Sequence, residues 1–410
     1  MSTSPKDSAE IKSARAAPFR LLALLIAMTA LGPLSLNILI PALPGLVTRL
    51  ATDLGTVQLT VSLYLVGLAS AQLVLGPLSD RFGRRPVVLA GLTLTALSSI
   101  VGIAAASIES LIVARVVQAL GASTGMVIGR AIIRDLYDRD RAAAMIGWVA
   151  TAMVVAPMIA PLIGGLLDTA FGWETIFVFV AVVSCCVLAW AYLALPETRP
   201  DHVTGGGIRY LWGETHALLT SRSFVGYVLC GTFGSATFFC FLGGAPYVVI
   251  TLMGRSSAEY GVWFVLSAFG YMAGNSAAGR YSARYGVNVM IKWGVALEVI
   301  GAVISVVLTP ILMVTGPAPL FLAQCLIAFG NGVLLPNSIA GAVSVRPQAA
   351  GTASGLTGFT QLGVGAIATQ AMSQLVGATL SPWPMQIGIL VFALALAATF
   401  IALPRLKRDR

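Results

Sequence analysis

Apolar stretches of membrane length recur along this chain and limit it to a narrow range of folds. A helix needs about 20 apolar residues to cross a bilayer. The 410 residues are 57% hydrophobic and only 10% charged, whereas a soluble domain carries roughly 25% charged residues. Too few polar residues are present to cover a water-facing surface, so the pattern predicts an all-α membrane protein with twelve transmembrane helices. The predicted spans begin near Phe19, Thr56, Val87, Ser110, Ala142, Thr175, Phe224, Glu259, Val289, Pro317, Gly351 and Pro384.

The 25 lysines and arginines are distributed unevenly between the two faces of this predicted bundle. With the amino terminus placed in the cytoplasm, all but three fall in cytoplasmic segments. Arg49 and Arg255 lie outside, and Arg115 lies within a span. The positive-inside rule then predicts a multi-pass protein of the inner membrane with both termini cytoplasmic. The net charge of +9 is interpreted as contact with anionic lipid headgroups and not with nucleic acid.

The longest polar break divides the twelve spans into six and six. The sequence predicts a cytoplasmic tail over 1–18, a six-helix bundle over 19–195, a cytoplasmic linker over 196–222, a second six-helix bundle over 223–403 and a cytoplasmic tail over 404–410.

An internal repeat supports this division. Two eight-residue segments match, Gly76-Pro-Leu-Ser-Asp-Arg-Phe-Gly and Gly279-Arg-Tyr-Ser-Ala-Arg-Tyr-Gly. They share both glycines, the serine at the fourth position and the arginine at the sixth. Each segment lies between the second and third span of its half. Two six-helix halves related by an axis along the membrane normal are a known transporter plan. The first copy carries Asp80 where the second has Ala283.

The first copy continues as a compact basic turn. It places three arginines around one acid, and its glycines and prolines favour a tight turn between two spans. Because such charges are costly in lipid, the turn is predicted to lie at the cytoplasmic face. The charged residues are Asp80, Arg81, Arg84 and Arg85.

The run GPLSDRFGRRP resembles the signature loop of the major facilitator superfamily. Other matches follow along the chain: Arg115, Gln118 and Gly121 resemble the second motif of that family, and Ala160-Pro161-Leu-Ile-Gly164-Gly165 resembles its antiporter motif. The stretches 35–44 and 130–137 resemble the bicyclomycin/chloramphenicol-resistance (Bcr/CflA) branch of drug exporters. The resemblance implies the major facilitator fold, with two six-helix bundles.

The same resemblance implies a secondary transporter that exports small hydrophobic drugs or metabolites by proton antiport and alternating access, as a monomer. One departure leaves an alternative open. The branch usually has an aspartate in its first span where this chain has Asn37, which cannot titrate. A proton-independent facilitator or metabolite permease of the same fold is therefore the second hypothesis. A membrane enzyme is disfavoured, since the sequence shows no catalytic, metal-binding or cofactor motif.

The resemblance also implies a conformational latch at the cytoplasmic face. Asp80 is expected to cap the start of span eleven near Gly351 or to pair with Arg130 or Arg134. The predicted latch residues are Gly76, Asp80, Arg81, Gly83, Arg84, Arg85, Arg134 and Asp135, and the predicted antiporter motif comprises Pro161, Gly164 and Gly165.

Two charges lie deep in predicted spans, and an intramembrane charge is a functional hypothesis by default. Arg115 lies at a depth similar to that of Asn37, with Gln118 on the same helix face. We expect a shared polar cluster that would favour neutral or anionic substrates. The alternative is that Arg115 only pins helices together through backbone carbonyls. Glu298, in span nine, is a candidate for coupling, although the ninth span is expected to be peripheral.

Overall fold

The structure is a computed structural model, and it describes residues 5–137, 139–198 and 208–408. Parts of the predicted amino-terminal tail, of the linker 196–222 and of the carboxy-terminal tail therefore lie outside the described residues.

Fourteen α-helices make up the described chain, and twelve of them are 20 to 33 residues long. The long helices are α1 (Pro5–Asn37), α3 (Leu54–Phe82), α4 (Arg84–Ile103), α5 (Ile108–Leu136), α6 (Arg139–Phe171), α7 (Glu174–Ala194), α9 (Arg222–Pro246), α10 (Ser257–Tyr285), α11 (Val287–Thr315), α12 (Ala318–Val345), α13 (Ala350–Thr379) and α14 (Trp383–Arg408). The short ones are α2 (Leu43–Arg49) and α8 (Ile208–Leu219), the latter within the predicted linker.

The predicted twelve-helix fold is confirmed. Each predicted span begins within three residues of a helix start, except the first, whose apolar part begins at Phe19 while the helix begins at Pro5. Nine helical segments of the described chain are long and apolar enough to cross a membrane. Segments of α6, α10 and α13 fall outside that set; α10 and α13 are rich in glycine, alanine and serine.

Helix packing repeats between the two halves. In the first half α1 packs on α5 and α6, α5 on α3 and α4, and α4 on α7. In the second half α9 packs on α12 and α13, α12 on α10 and α11, and α11 on α14. The two halves meet through α3 with α13 and through α6 with α10. This correspondence is the structural form of the sequence repeat, although α9 also packs extensively on α14 whereas the equivalent helices α1 and α7 touch only slightly.

The first helix of each half is interrupted near its carboxy-terminal end. After α1, Pro41 lies in a 3-10 turn, Ile40–Ala42, that leads into α2. After α9, which ends at Pro246, the chain forms a π-helical turn, Tyr247–Leu252. A proline cannot donate the amide hydrogen bond that a continuous helix requires, and irregular backbone at membrane depth is tolerated where protein buries it.

Four helices form the rim and expose apolar side chains. On α4 and α7 the exposed residues include Leu97, Ile100, Val182 and Leu193; on α11 and α14 they include Trp293, Ile300, Val307, Val391 and Ile401. Large contiguous apolar surfaces are rare on soluble monomers. The rim therefore fits a lipid environment.

The repeated loop adopts the same turn twice. Gly83 after α3 has φ of 99°, and Gly286 after α10 has φ of 83°. Their amides donate to the carbonyls of Ser79 and Ser282 at 3.0 and 2.9 Å. Positive φ favours glycine, which explains why both copies end on that residue. We call the end of the bundle that carries Gly83 the basic end.

Candidate transport site

Arg115 lies at the centre of the first half and is only 1% exposed. Its guanidinium donates to the carbonyl oxygen of Ser35 on α1 at 2.8 Å and to that of Thr60 on α3 at 3.3 Å. It also lies over the Tyr64 ring, 4.1 Å from the centroid. These contacts join α1, α3 and α5 through one cation, as in the pinning alternative.

Gln118 completes this cluster, whereas Asn37 does not join it. The Gln118 side-chain oxygen accepts from Arg115, and its amide donates to Ser99 Oγ on α4 at 2.7 Å. Asn37, the last residue of α1, donates its amide to the Pro33 carbonyl on its own helix at 2.8 Å. Its Oδ1 is buried without a partner among the described residues.

Arg115 is enclosed by two backbone carbonyls and an aromatic ring, and its Nη2 is buried without a partner among the described residues. These partners are uncharged. The expectation that a fixed positive group favours neutral or anionic substrates stays a prediction.

Glu298 lies on the inner face of α11 and is fully buried. The expectation of a peripheral position holds for α11, whose outer face exposes Trp293 and Ile300, but not for this side chain. The Thr237 hydroxyl of α9 lies 3.2 Å from Glu298 Oε2. Asn331 of α12 in turn donates its amide to the Thr237 hydroxyl at 3.1 Å.

The basic turn that follows α3 is organised around Arg84, whose side chain is 9% exposed. Its guanidinium forms an ion pair with Asp80, binds Asp135 Oδ2 at the end of α5 at 3.0 Å, and donates to Ser79 Oγ at 2.6 Å. The expected partners of Asp80 were wrong for this state: its partner is Arg84, one helical turn on and within the same motif. Arg81 lies over the Phe82 ring.

The expected contact of Asp80 with α13 is not made. The residue that precedes α13, Ala349, provides no side-chain cap, and a side chain at Gly351 would meet nothing within 4 Å. Arg130 donates to the Met126 carbonyl at 3.0 Å, and Arg134 is exposed. The latch role of this loop therefore stays a prediction about a different conformation.

Sequence reasoning missed Glu197, which holds the turn from the end of α7. Its carboxylate accepts from the backbone amides of Arg84 at 2.8 Å and Arg85 at 3.2 Å, at the start of α4, where a negative charge is favoured. Arg85 donates to the Tyr192 carbonyl at 2.8 Å. The available signal was an acid directly after a span, Pro196-Glu197, on the same predicted face as the turn.

The antiporter motif lies where three helices converge. A side chain at Gly164 would overlap the Ile38 carbonyl next to α1, and one at Gly165 would overlap the Ser257 carbonyl of α10. In return, a side chain at Gly261 would lie 2.6 Å from the Pro161 carbonyl oxygen. Gly165 and Gly261 thus permit backbone-to-backbone contact between the halves, while Gly164 permits it within the first half.

Further contacts between halves cluster at the end opposite the basic end. Ser257 donates to Asp168 Oδ2 of α6 at 2.6 Å, and the Ala258 amide donates to Thr169 Oγ1 at 3.1 Å. On the other side of the bundle, Gln370 of α13 donates to the Gly55 carbonyl of α3 at 2.7 Å.

The hydrogen bonds described between the two halves lie at the end opposite the basic end. Towards the basic end, side chains at Gly76 on α3 and at Gly351 or Gly355 on α13 would meet nothing within 4 Å, whereas one at Gly358 of α13 would lie 2.5 Å from Gln72 of α3. The polar contacts between the halves are therefore concentrated at one end of the bundle.

This architecture defines a membrane transporter, and residues 25–369 match the family profile described as Major Facilitator Superfamily. The chain belongs to that superfamily and is a multi-pass membrane protein that carries small molecules.

Its relatives place it within the drug-transporter branch. It is 32% identical over 357 residues to multidrug resistance protein D of Escherichia coli, covering 85% of this chain and 87% of the relative. It is 29% identical over 381 residues to a chloramphenicol resistance protein of Pseudomonas aeruginosa, covering 92% and 88%. It is 25% identical to a bicyclomycin resistance protein homologue of Haemophilus influenzae, covering 93% and 95%. These names confirm the resemblance to the Bcr/CflA branch.

A solved structure shares the fold. The crystal structure of a bacterial homologue of the human lysosomal transporter Spinster, inward-facing and unoccupied, superposes with a TM-score of 0.73 at 16% identity, covering 96% of this chain and 98% of the other. At this identity the likeness concerns the fold alone.

Proposed function

We propose that this transporter exports small hydrophobic compounds across the inner membrane in exchange for protons, by alternating access. The observation that supports the proposal is an asymmetry between the ends: the hydrogen bonds described between the halves lie at the end opposite the basic end. A carrier that exposes its site to one side at a time needs this arrangement and its reverse.

The names of its relatives support hydrophobic drugs as the substrate class. Both chloramphenicol and bicyclomycin appear in the names of proteins that align over most of this chain. Substrate recognition by apolar walls with few polar groups suits such compounds. The buried Arg115 contributes no evident charge selectivity, so we expect neutral compounds to be transported.

We also propose that the basic end faces the cytoplasm, with both termini on that side, and that the protein acts as a monomer. The charge at the Gly83 turn supports this orientation through the positive-inside rule. Labelling of a single cysteine at Arg280 with a membrane-impermeant maleimide should require permeabilised cells; labelling in intact cells would contradict it. The mass of the purified protein in detergent, corrected for bound detergent, tests the monomer.

Transport in proteoliposomes tests the proposal. Vesicles containing the purified protein and a pH-sensitive dye are supplied with radiolabelled chloramphenicol, with and without an imposed pH gradient. We expect the gradient to drive accumulation and a chloramphenicol gradient to move protons the opposite way. Bicyclomycin serves as a second compound, and protein-free vesicles are the control.

The second candidate, a facilitator without proton coupling, is favoured by Asn37, which cannot exchange a proton. In the same vesicles it would equilibrate chloramphenicol at a rate indifferent to the pH gradient. That outcome would refute proton antiport while keeping the transport fold.

A further inference from the structure

Glu298 is buried with few hydrogen-bond donors. Its Oε2 has Thr237 as a partner, while its Oε1 has none among the described residues. No cation pairs with it in the part of the chain that the structure describes. An ionised carboxylate accepts at both oxygens, and leaving it unpaired in apolar surroundings is costly.

The hydroxyl of Thr237 limits what the cluster can hold. It has a single hydrogen, yet it lies 2.7 Å from the Gly234 carbonyl oxygen and 3.2 Å from Glu298 Oε2, and it accepts from Asn331. If the hydrogen points to Gly234, the contact with Glu298 needs a hydrogen from the carboxylic acid. If it points to Glu298, the carboxyl can be ionised. The two orientations of one hydroxyl thus correspond to the two protonation states of Glu298.

Two glycines let the carboxyl approach this hydroxyl closely. A Cβ at Gly234 on α9 would lie 3.1 Å from Glu298 Oε1, and one at Gly330 on α12 would lie 2.9 Å from Glu298 Cγ. The site is therefore formed jointly by α9, α11 and α12, and a relative shift of these helices alters the donors that reach the carboxyl.

The side chains described beside Glu298 carry no second carboxyl. Asn331 of α12 contributes an amide, which does not titrate, and Thr237 of α9 contributes a hydroxyl. Cys230, a buried thiol, also lies on α9. Glu298 is therefore the carboxyl of this cluster.

We propose that Glu298, Thr237 and Asn331 form the proton-binding site of this transporter, with Thr237 and Asn331 as positioning residues. The proposal rests on the proposed proton antiport. Glu298 binds one proton while the site is open to the outside and releases that proton to the cytoplasm while drug leaves in the opposite direction. Coupling then resides in the second half of the fold, where Asn37 of the first half cannot supply it.

Carbodiimide labelling tests the site without any substrate. Dicyclohexylcarbodiimide modifies protonated carboxyls that become accessible in an apolar environment. We expect mass spectrometry of the purified protein to find the adduct on Glu298, increasing as the pH falls. Thr237→Val should change this pH dependence and Thr237→Ser should restore it. An unlabelled Glu298 in wild-type protein would overturn the proposal.

Transport assays in vesicles distinguish an error in the proposed proton-binding site from an error in the proposed antiport function. In Glu298→Gln, which mimics the protonated form, we expect gradient-driven chloramphenicol accumulation to fall to the level of protein-free vesicles while exchange of labelled for unlabelled drug persists. Glu259→Gln, an acid at the start of α10, is the matched control and should behave as wild type. Glu298→Asp keeps a titratable group if the amide variant does not fold.

If wild-type protein ignores the gradient, the proposed antiport fails. If wild type and Glu298→Gln respond equally to the gradient, the antiport stands and only this site is wrong.

Discussion

Ser257 of α10 donates its hydroxyl to the Asp168 carboxylate of α6 across the two halves, at 2.6 Å. The same hydroxyl lies 3.0 Å from the Pro41 carbonyl oxygen. Since Ser257 begins α10, Asp168 also lies near the positive end of a helix dipole. One short contact thus links the halves at the end where the other hydrogen bonds between them also lie.

Removing this contact should shift the transporter towards opening at that end. A hydrogen bond to a charged group contributes about 1.5–3 kcal/mol, so Ser257→Ala and Asp168→Asn should each change the population ratio of the two states by about tenfold or more. Distances between spin labels placed on α6 and α10 at this end measure the shift. Ser276→Ala, an exposed serine that bonds only its own helix, is the control; an unchanged distance distribution in Ser257→Ala would count against the contact.

Arg115 should matter for stability more than for drug binding. Its guanidinium bonds two backbone carbonyls and Gln118, a geometry that a lysine cannot reproduce. We expect Arg115→Lys to lower the free energy of unfolding by about 1.5–3 kcal/mol, measured by thermal denaturation in detergent, while the dissociation constant for chloramphenicol stays within about threefold, a change under 1 kcal/mol.

Arg280→Lys, an exposed arginine on α10, controls for the substitution itself. If Arg115→Lys instead kept wild-type stability and lost drug binding, the guanidinium would belong to the substrate site after all.

Asp135 and Asp80 share Arg84 but should differ in effect. The Asp135 side chain is 13% exposed and that of Asp80 is 42% exposed, and exposed ion pairs contribute about 0–1 kcal/mol. Asp135→Asn should therefore destabilise the protein more than Asp80→Asn in thermal denaturation. For Asp80→Asn we expect a change in the balance of conformations, seen by spin-label distances at the basic end. Equal losses of stability would contradict this ranking.

Asp53 should give a small, pH-dependent contribution to stability. It precedes α3, and its carboxylate accepts from the Thr56 hydroxyl and the Thr56 amide; these bonds lower the pKa of Asp53 below its ordinary value. Because the folded-state pKa is lowered, the stabilisation is complete above the ordinary carboxyl pKa and is lost as the pH falls through the lowered one.

A helix cap of this kind contributes about 1 kcal/mol. Denaturation followed at decreasing pH should show a wild-type loss no larger than this, because the side chain is exposed to solvent, and Asp53→Ala should lack it. An identical pH profile in the two proteins would rule out the cap as its source.

The number and positions of the helices could be predicted from sequence because apolar length and glycine turns are local properties. The turns at Gly83 and Gly286 also followed from the repeat. Gln118 could be predicted as a neighbour of Arg115 from its spacing on the same helix. The partners of Asp80 and Glu298 could not be predicted, since they depend on how each helix is rotated about its axis and on which state the halves adopt. A composition that is apolar on nearly every face gives no periodicity from which that rotation can be read.

The glycines of the antiporter motif have a mechanical consequence. Around Gly165 and Gly261 the halves touch through main-chain atoms, so no bulky rotamer has to be repacked when one half tilts against the other. Such a junction can serve as a pivot, with the Asp168–Ser257 contact beside it and the Arg84 turn at the opposite end of the bundle. A larger residue at either glycine would separate the two helices at this junction and stop turnover, although neither glycine contributes a polar side chain.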